Sequence, residues 1–186
     1  MPSWVWIVIA IAAVVVVALV VWSTLRARRT RTLKEGFGPE YERAVAESPS
    51  KREAEAELTE RQKRRAELDV RPLVPGARER YIQAWQVTQA RFVDDPGGAI
   101  GEADTLIQQV MRERGYPVED FEQRAADVSV DHPEVVSNYR AAHGISIAHS
   151  RDKASTEDLR QALVHYRTLF DELLETREPA GAENPR

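Results

Sequence analysis

The chain has 186 residues, no cysteine and a formal net charge of −4 at pH 7. The lack of cysteine excludes disulfide bonds, thiolate metal sites and a cysteine nucleophile. Residues 71–186 carry 20 acidic and 14 basic side chains, and this balance argues against nucleic acid as a partner, because nucleic-acid binding needs a basic face.

The first predicted element is an uncharged stretch of nineteen residues, Trp4–Trp22. A helix of that length reaches roughly 28 Å, close to the ~30 Å hydrocarbon core of a bilayer. Tryptophans lie at both ends, where their rings favour the headgroup zone. The sequence therefore predicts a membrane-spanning helix within an anchor at residues 1–25. A cleaved signal peptide is the alternative, but the stretch lacks a basic segment before it and a small-residue cleavage site after it.

Five basic residues follow the predicted span, and none precedes it. This asymmetry predicts that the N-terminus lies outside and the rest of the chain in the cytoplasm, as in a single-pass protein of the cell (inner) membrane. The same basic collar would lie against anionic headgroups of the lipid bilayer. These predicted membrane-surface residues are Arg26, Arg28, Arg29, Arg31 and Lys34.

Residues 26–70 are predicted to form the basic collar and a charged helical spacer. Ser50 and Glu53 have the spacing of a capping box that opens a helix ending near Leu68. The helix is polar on nearly every side, which favours a solvated spacer. A weakly self-associating coiled-coil stalk, which would give a weak homo-oligomer, and docking on the following domain are the alternatives. Two i,i+4 ion pairs would stabilise the helix, Glu57–Arg61 and Glu60–Arg64.

From residue 71 the pattern changes to amphipathic helices separated by proline, glycine and aspartate. No strand-like alternation is present in the sequence, so the prediction is an all-α fold with a C-terminal antiparallel helical bundle at residues 71–177. A polar, disordered tail is predicted at 178–186. The predicted bundle helices are about 77–93, 96 to just before Gly115, 119 to about 127, one opened by an Asp131-x-x-Glu134 cap, and one capped by Ser155.

The apolar positions of these helices predict the core of the bundle. Aromatic residues at helical spacing are more typical of a core than of a cofactor site. The predicted core residues are Tyr81, Ala84, Trp85, Thr88 and Phe92; Ile100, Ala103, Leu106, Ile107, Val110 and Met111; Phe121 and Ala125; Val135, Val136, Tyr139, Ala142 and Ile145; and Leu159, Ala162, Leu163, Tyr166, Phe170, Leu173 and Leu174.

The sequence contains four histidines, but their spacing does not predict a metal site. His143 and His149 lie six positions apart, on opposite faces of a helix, and no Glu-x-x-His pair of the di-iron type occurs. His132 is expected in the first turn of a helix. We therefore predict no metal and no cofactor. The polar residues that remain as candidates for acid–base chemistry are Tyr139, His143 and His165.

Three segments, ARFVDDP, RGYPVEDFEQRAADVSVDHPEVV and STEDLRQALVHYR, resemble a family of uncharacterised bacterial proteins with one N-terminal span and a C-terminal helical domain. The resemblance covers roughly Phe37–Leu174 and includes the FGPEY segment. It implies a single-pass membrane protein with a helical domain and implies no activity. Some members are labelled "secreted protein", which is at odds with the predicted span.

Two functions from different classes are compatible with these features. The first is a membrane-tethered helical interaction or scaffold module, without catalytic activity, that binds a protein partner. The second is a membrane-bound enzyme whose site is assembled between the bundle helices. The sequence favours the first, because it contains no motif that specifies a reaction.

Overall fold

The computed structural model describes the backbone of residues 3–175 and the side chains of residues 14–175. This part of the chain is all-α, as predicted, and it contains no strand. The helices are α1 Ser3–Phe37, α2 Pro39–Glu47, α3 Lys51–Glu67, α4 Ala77–Arg91, α5 Pro96–Glu113, α6 Phe121–Asp131, α7 Val136–His149 and α8 Thr156–Leu174. The predicted tail at 178–186 lies outside the described residues.

Helices α4, α5, α7 and α8 form the main core. Their packing follows from the apolar stripes of the two most amphipathic members, α5 and α8, which face each other and the neighbouring helices. Trp85 of α4 stacks on Phe170 of α8 with ring centroids 4.6 Å apart. Hydrogen bonds between the two ends of α4 and the opposite ends of α5 show that this pair is antiparallel. They are Tyr81–Glu113 at 2.8 Å and Arg91–Glu102 at 2.9 Å.

The predicted core is confirmed in this part of the molecule. All six apolar residues predicted for α5 and all seven predicted for α8 are buried, and the remaining predicted residues are buried or pack against the core. The predicted caps of three helices are also present. Ser50 Oγ accepts from the Glu53 N–H, Asp95 accepts from the Gly98 N–H, and Ser155 and Asp158 form a complete capping box.

One predicted helix boundary is wrong. Asp131 does not cap a new helix, because it is the last residue of α6, which begins at the unpredicted cap Asp120. Helix α7 starts later, at Val136, without a side-chain cap. His132 is therefore not in a helical first turn but at the C-cap of α6, where it is buried. The D-x-x-E pattern predicts a helix cap here, but the Asp131 carboxylate instead binds side chains that are more distant in the sequence.

A second, smaller core joins the C-terminal half of α1 to α2 and α3. It contains Leu33 and Phe37 of α1, Tyr41 and Ala44 of α2, and Ala54 and Leu58 of α3. Helix α1 continues beyond the predicted anchor boundary at residue 25 and ends at Phe37, before Gly38, whose φ of 46° other residues rarely adopt. We call residues 26–67, which form this small core, the neck.

The prediction of a solvated spacer is wrong for α3. This helix is polar overall, but Ala54, Glu55, Leu58 and Arg61 are buried against α1, α2 and α6. Val130 of α6 packs on the small core, so the neck and the bundle are in direct contact. Of the two pairs predicted along α3, Glu57–Arg61 is present, whereas Glu60 pairs with Lys63 and Arg64 turns to α6.

Among helices with described side chains, none has both the length and the apolar character needed to cross a membrane. The predicted span Trp4–Trp22 includes residues 4–13, whose side chains lie outside the described part. The membrane span therefore gains no support from the structure and stays a prediction.

Candidate functional site

The five predicted collar residues are all exposed on α1. Three of them bind neighbouring side chains of the neck: Arg29 donates to Thr59 Oγ1 at 2.7 Å, Arg31 pairs with Glu35 at 2.7 Å, and Lys34 pairs with Glu42 at 2.9 Å. Arg26 lies over the Trp22 ring, 5.6 Å from its centroid. Arg28 makes no ion pair within the described residues.

The neck folds so that α3 runs beside α1 in the same direction. Thr30 of α1 donates to Glu55 of α3 at 2.8 Å, and six positions later on α1 Gly36 lies beside the Gln62 side chain of α3. The start of α3 is therefore placed next to the segment of α1 around Trp22 and Arg26. For the first turn of α3 the sequence predicted only the capping box of Ser50 and Glu53. The closeness of this turn to the basic collar was not predicted.

The most buried charge of the neck is the Glu40 carboxylate, whose side chain is 1% exposed. Its Oε1 accepts from Arg61 at 2.9 Å, from Arg140 at 3.1 Å and from Arg43 at 3.2 Å. Arg61 lies on α3 and Arg140 on α7, so this single carboxylate joins the neck to the bundle. Each guanidinium also contacts a second acid, which offsets the positive charge around Glu40.

Two further ion pairs connect α3 to α6. Arg64 Nε lies 3.2 Å from Oδ1 of the fully buried Asp127, and Arg65 pairs with Asp131. The Tyr116 hydroxyl also donates to Asp131. Burial raises the pKa of Tyr116 above its ordinary value, and the Asp131 charge adds to this shift. The phenol therefore stays protonated and remains a donor to the carboxylate.

Two of the three polar candidates lie together inside the bundle. Tyr139 is fully buried, and its hydroxyl accepts from Arg124 Nε at 3.0 Å. His143 stacks on Phe121 with centroids 3.5 Å apart, one turn after Tyr139 on α7. His165 does not join them, because its Nδ1 hydrogen-bonds Asn138 Oδ1 at 2.7 Å.

The environment of this pair does not favour acid–base chemistry near pH 7. Burial raises the pKa of Tyr139 to about 12, with a further contribution from the Asp104 charge, so the phenol remains protonated. Burial lowers the pKa of His143, which holds the imidazole neutral against the Phe121 ring. Since Tyr139 is also closed to solvent, these contacts describe a polar part of the core.

His132 is a buried histidine that sequence reasoning placed wrongly. Its Nδ1 lies 3.0 Å from Glu172 Oε1, which connects the C-cap of α6 to α8. Burial lowers its pKa, and the nearby Arg114 charge acts in the same direction, while Glu172 and Asp131 oppose it. The folded protein therefore favours the neutral ring.

Within residues 14–175 no cluster of histidine, aspartate and glutamate has the geometry to hold a metal ion. The residues that join the neck to the bundle, chiefly Glu40, Arg61 and Arg140, were missed as functional positions. The sequence does not single them out, since Arg61 and Glu40 have local partners at helical spacing, Glu57 and Arg43, and Arg140 has no such partner.

We compared the chain with protein-family models, with curated proteins and with solved structures, and none gave a significant match. The resemblance to the bacterial single-span family therefore stays a prediction.

Proposed function

We propose that this protein is a membrane-tethered helical interaction module, in which the neck holds the bundle against the cytoplasmic face of the inner membrane. The module acts without catalysis by presenting its bundle to a protein partner. A tether raises the local concentration of a binding domain, so modest intrinsic affinity is sufficient for association at the membrane.

The anchoring part of this proposal rests on the start of α1. Residues Val14–Trp22 are all apolar, and their large side chains are between 50% and 68% exposed. A helix that is apolar on every side is unfavourable in water and is typical of one surrounded by lipid or protein. The basic collar then lies immediately beyond the proposed span, where it would meet headgroup phosphates.

The single observation that carries the tethering part is the buried Glu40 cluster. A flexible linker would expose the bundle to many orientations, but Glu40 fixes α2 and α3 to Arg140 of α7. Together with Arg64–Asp127 and Arg65–Asp131, this contact sets one orientation of the bundle relative to α1. Such a neck suits a protein that positions a partner at a defined distance from the membrane.

The enzyme alternative rests on Tyr139, His143 and His165. Their contacts to Arg124, Phe121 and Asn138 assign them structural roles, and no observation on these residues favours a reaction. We therefore keep the interaction module as the proposed function.

The anchoring arm of the test uses the full chain in bacterial cells. We expect the chain to stay with the membrane after alkaline carbonate extraction, and deletion of residues 2–22 to release it. A fluorescent protein fused after Arg186 should fluoresce, while alkaline phosphatase at the same place should be inactive. Release of the intact full chain by carbonate, or phosphatase activity from the fusion, would contradict the proposal.

The interaction arm uses a photoreactive amino acid at exposed apolar positions of the bundle, Val87, Val93 and Val164. We expect at least one position to form a discrete covalent adduct with a protein in intact cells. The matched control places the same amino acid at Lys63, which is exposed on the neck. Adducts that are equally abundant at Lys63 would indicate nonspecific capture and would contradict a partner site on the bundle.

A further inference from the structure

The geometry points to a binding site for the phosphate headgroup of an anionic lipid between α1 and the first turn of α3. This inference rests on the proposed membrane anchor and deepens it. It assigns headgroup binding to Lys51 and Arg52, which lie 25 or more positions after the predicted collar begins at Arg26.

The first observation is the groove itself. A groove of ≈ 590 Å³ lies between α1 and α3 and is lined by Trp22, Leu25, Arg26, Arg29, Arg52, Glu55 and Ala56. A second groove of ≈ 630 Å³ shares Trp22 and Arg26 with the first and is also lined by Lys51 and by the paired residues Arg31 and Glu35. The start of α3 thus contributes one cation to each groove.

The second observation is that two cations of the groove between α1 and α3, Arg26 and Arg52, make no ion pair within the described residues. Arg52 makes no ion pair within the described part of the chain, and Arg26 lies over the Trp22 ring and acts on Glu55 through its charge without an ion pair. The nearest ammonium-to-carboxylate contact of Lys51 is 3.8 Å, to Glu55. The groove between α1 and α3 therefore has three arginines and one acid among its lining residues and presents net positive charge.

Two acids line these grooves, Glu35 in the second and Glu55 in the first. Glu35 pairs with Arg31 at 2.7 Å, and Glu55 is held by hydrogen bonds within the neck. Its Oε1 accepts from Thr30 at 2.8 Å and from Tyr41 at 3.0 Å, and its side chain is 9% exposed. Burial alone would raise its pKa, but these hydrogen bonds and the Lys51 charge lower the pKa overall. The carboxylate thus stays ionised and holds α3 in place beside α1.

The third observation fixes the occupant as a lipid rather than a soluble anion. Exposed Trp22 and Leu25 form the apolar end of the groove, and the exposed valines of α1 continue in the same direction. Three arginines, Arg26, Arg29 and Arg52, supply its charge, so an amphiphile with an acyl chain beside α1 and a phosphate beside Arg26 and Arg52 matches both parts. Tryptophan at this position is typical of the headgroup boundary.

The test uses the full chain reconstituted in nanodiscs of phosphatidylcholine with and without phosphatidylglycerol, followed by native mass spectrometry of the lipids that remain bound. We expect wild type to retain phosphatidylglycerol in preference to phosphatidylcholine. The double variant Lys51→Gln/Arg52→Gln should weaken this retention by roughly five- to thirtyfold, the factor expected for one or two charges at a membrane surface.

The matched control is Arg151→Gln/Lys153→Gln, which removes the same two charges from the exposed loop before α8. We expect it to retain phosphatidylglycerol like wild type. Equal loss in both double variants would show that net charge alone attracts the lipid and would overturn the site. Unchanged retention in Lys51→Gln/Arg52→Gln would overturn it as well.

Two further experiments distinguish a lipid phosphate from a soluble phosphate ester, and the headgroup site from the membrane anchor. Glycerol phosphate added to the nanodiscs should not displace the lipid, and its equal binding would overturn the assignment to lipid in favour of a soluble phosphate ester. A chain that inserts stably but shows no lipid preference contradicts the headgroup site alone. A chain that does not insert contradicts the membrane anchor and, with it, the site.

Discussion

Glu40 shows how one buried residue connects distant parts of this molecule. A carboxylate taken out of water is unfavourable unless hydrogen bonds and opposite charges compensate for its lost hydration. Here three guanidiniums from α2, α3 and α7 provide that compensation. Their convergence on one oxygen makes Glu40 sensitive to substitution in a way that the surface pairs of the neck are not.

We expect Glu40→Gln to lower the free energy of unfolding by about 3 kcal/mol, the lower end for breaking a buried ion pair, because each guanidinium keeps a second acid. The matched control is Glu42→Gln on the same helix, whose exposed pair with Lys34 should contribute within about 0.5 kcal/mol. Urea denaturation of both variants measures the difference. Equal effects would show that Glu40 does not join the neck to the bundle energetically.

His132 predicts a pH dependence of stability. Its pKa is lowered in the folded protein, chiefly by burial, so the unfolded chain binds a proton that the folded chain does not. The stability is therefore fully present above the unfolded pKa of about 6.5 and is lost as pH falls below it. The pKa of His143 is also lowered in the folded protein, so His143 changes the stability with pH in the same direction.

The double variant His132→Gln/His143→Gln removes both groups. Between about pH 8 and about pH 5.5 we expect wild type to lose more stability than this variant, because the variant has no imidazole to protonate at these positions. Denaturant midpoints at several pH values measure the slopes. A variant with the same slope as wild type would contradict neutral, buried histidines.

At the scale of elements, α8 is the helix that the sequence specifies best. Its capping box fixes the start at Thr156, and its apolar stripe faces α5 and α7. Leu163 on this stripe is 8% exposed, whereas its neighbour Val164 is 52% exposed. Adjacent positions on one helix therefore provide a direct comparison of core and surface.

We expect Leu163→Ala to cost about 2–5 kcal/mol, since it leaves a cavity in the core. Val164→Ala should change stability by about 0.5 kcal/mol or less, because the side chain is already largely in solvent. Thermal or urea unfolding followed by circular dichroism gives both values. A similar cost for the two substitutions would show that α8 is rotated relative to the structure.

The elements also show what sequence reasoning can and cannot reach. Helices α5 and α8 were predicted because cap and apolar periodicity agree locally, and α5 also has a stop signal at Gly115. Helix α6 was predicted too short, because the run of small and polar residues from Ala125 to Asp131 gives no apolar stripe. These residues are helical since Asp127 and Asp131 are paired with Arg64 and Arg65 of a distant helix. The spacing of apolar residues along one helix does not reveal ion pairs with a distant helix.

For the whole molecule, the contact between neck and bundle could not be derived from sequence. Glu40 and Arg140 are 100 positions apart, and the charges of α3 look like a solvated surface when they are read along the helix. Only part of the candidate site was predicted from the sequence. The collar on α1 was predicted from charge asymmetry, but Lys51 and Arg52 join it only because α2 reverses the chain and brings α3 beside α1.

The most direct measurement of the central claim, a neck that fixes the bundle relative to the anchor, is a distance between spin labels in nanodiscs. The chain has no native cysteine, so labels can be placed at Lys63→Cys on α3 and Gln109→Cys on α5, both exposed. We expect a narrow, single distance distribution that broadens when Glu40→Gln is added. A broad distribution in the chain that keeps Glu40 would contradict a rigid neck and leave the bundle on a flexible tether.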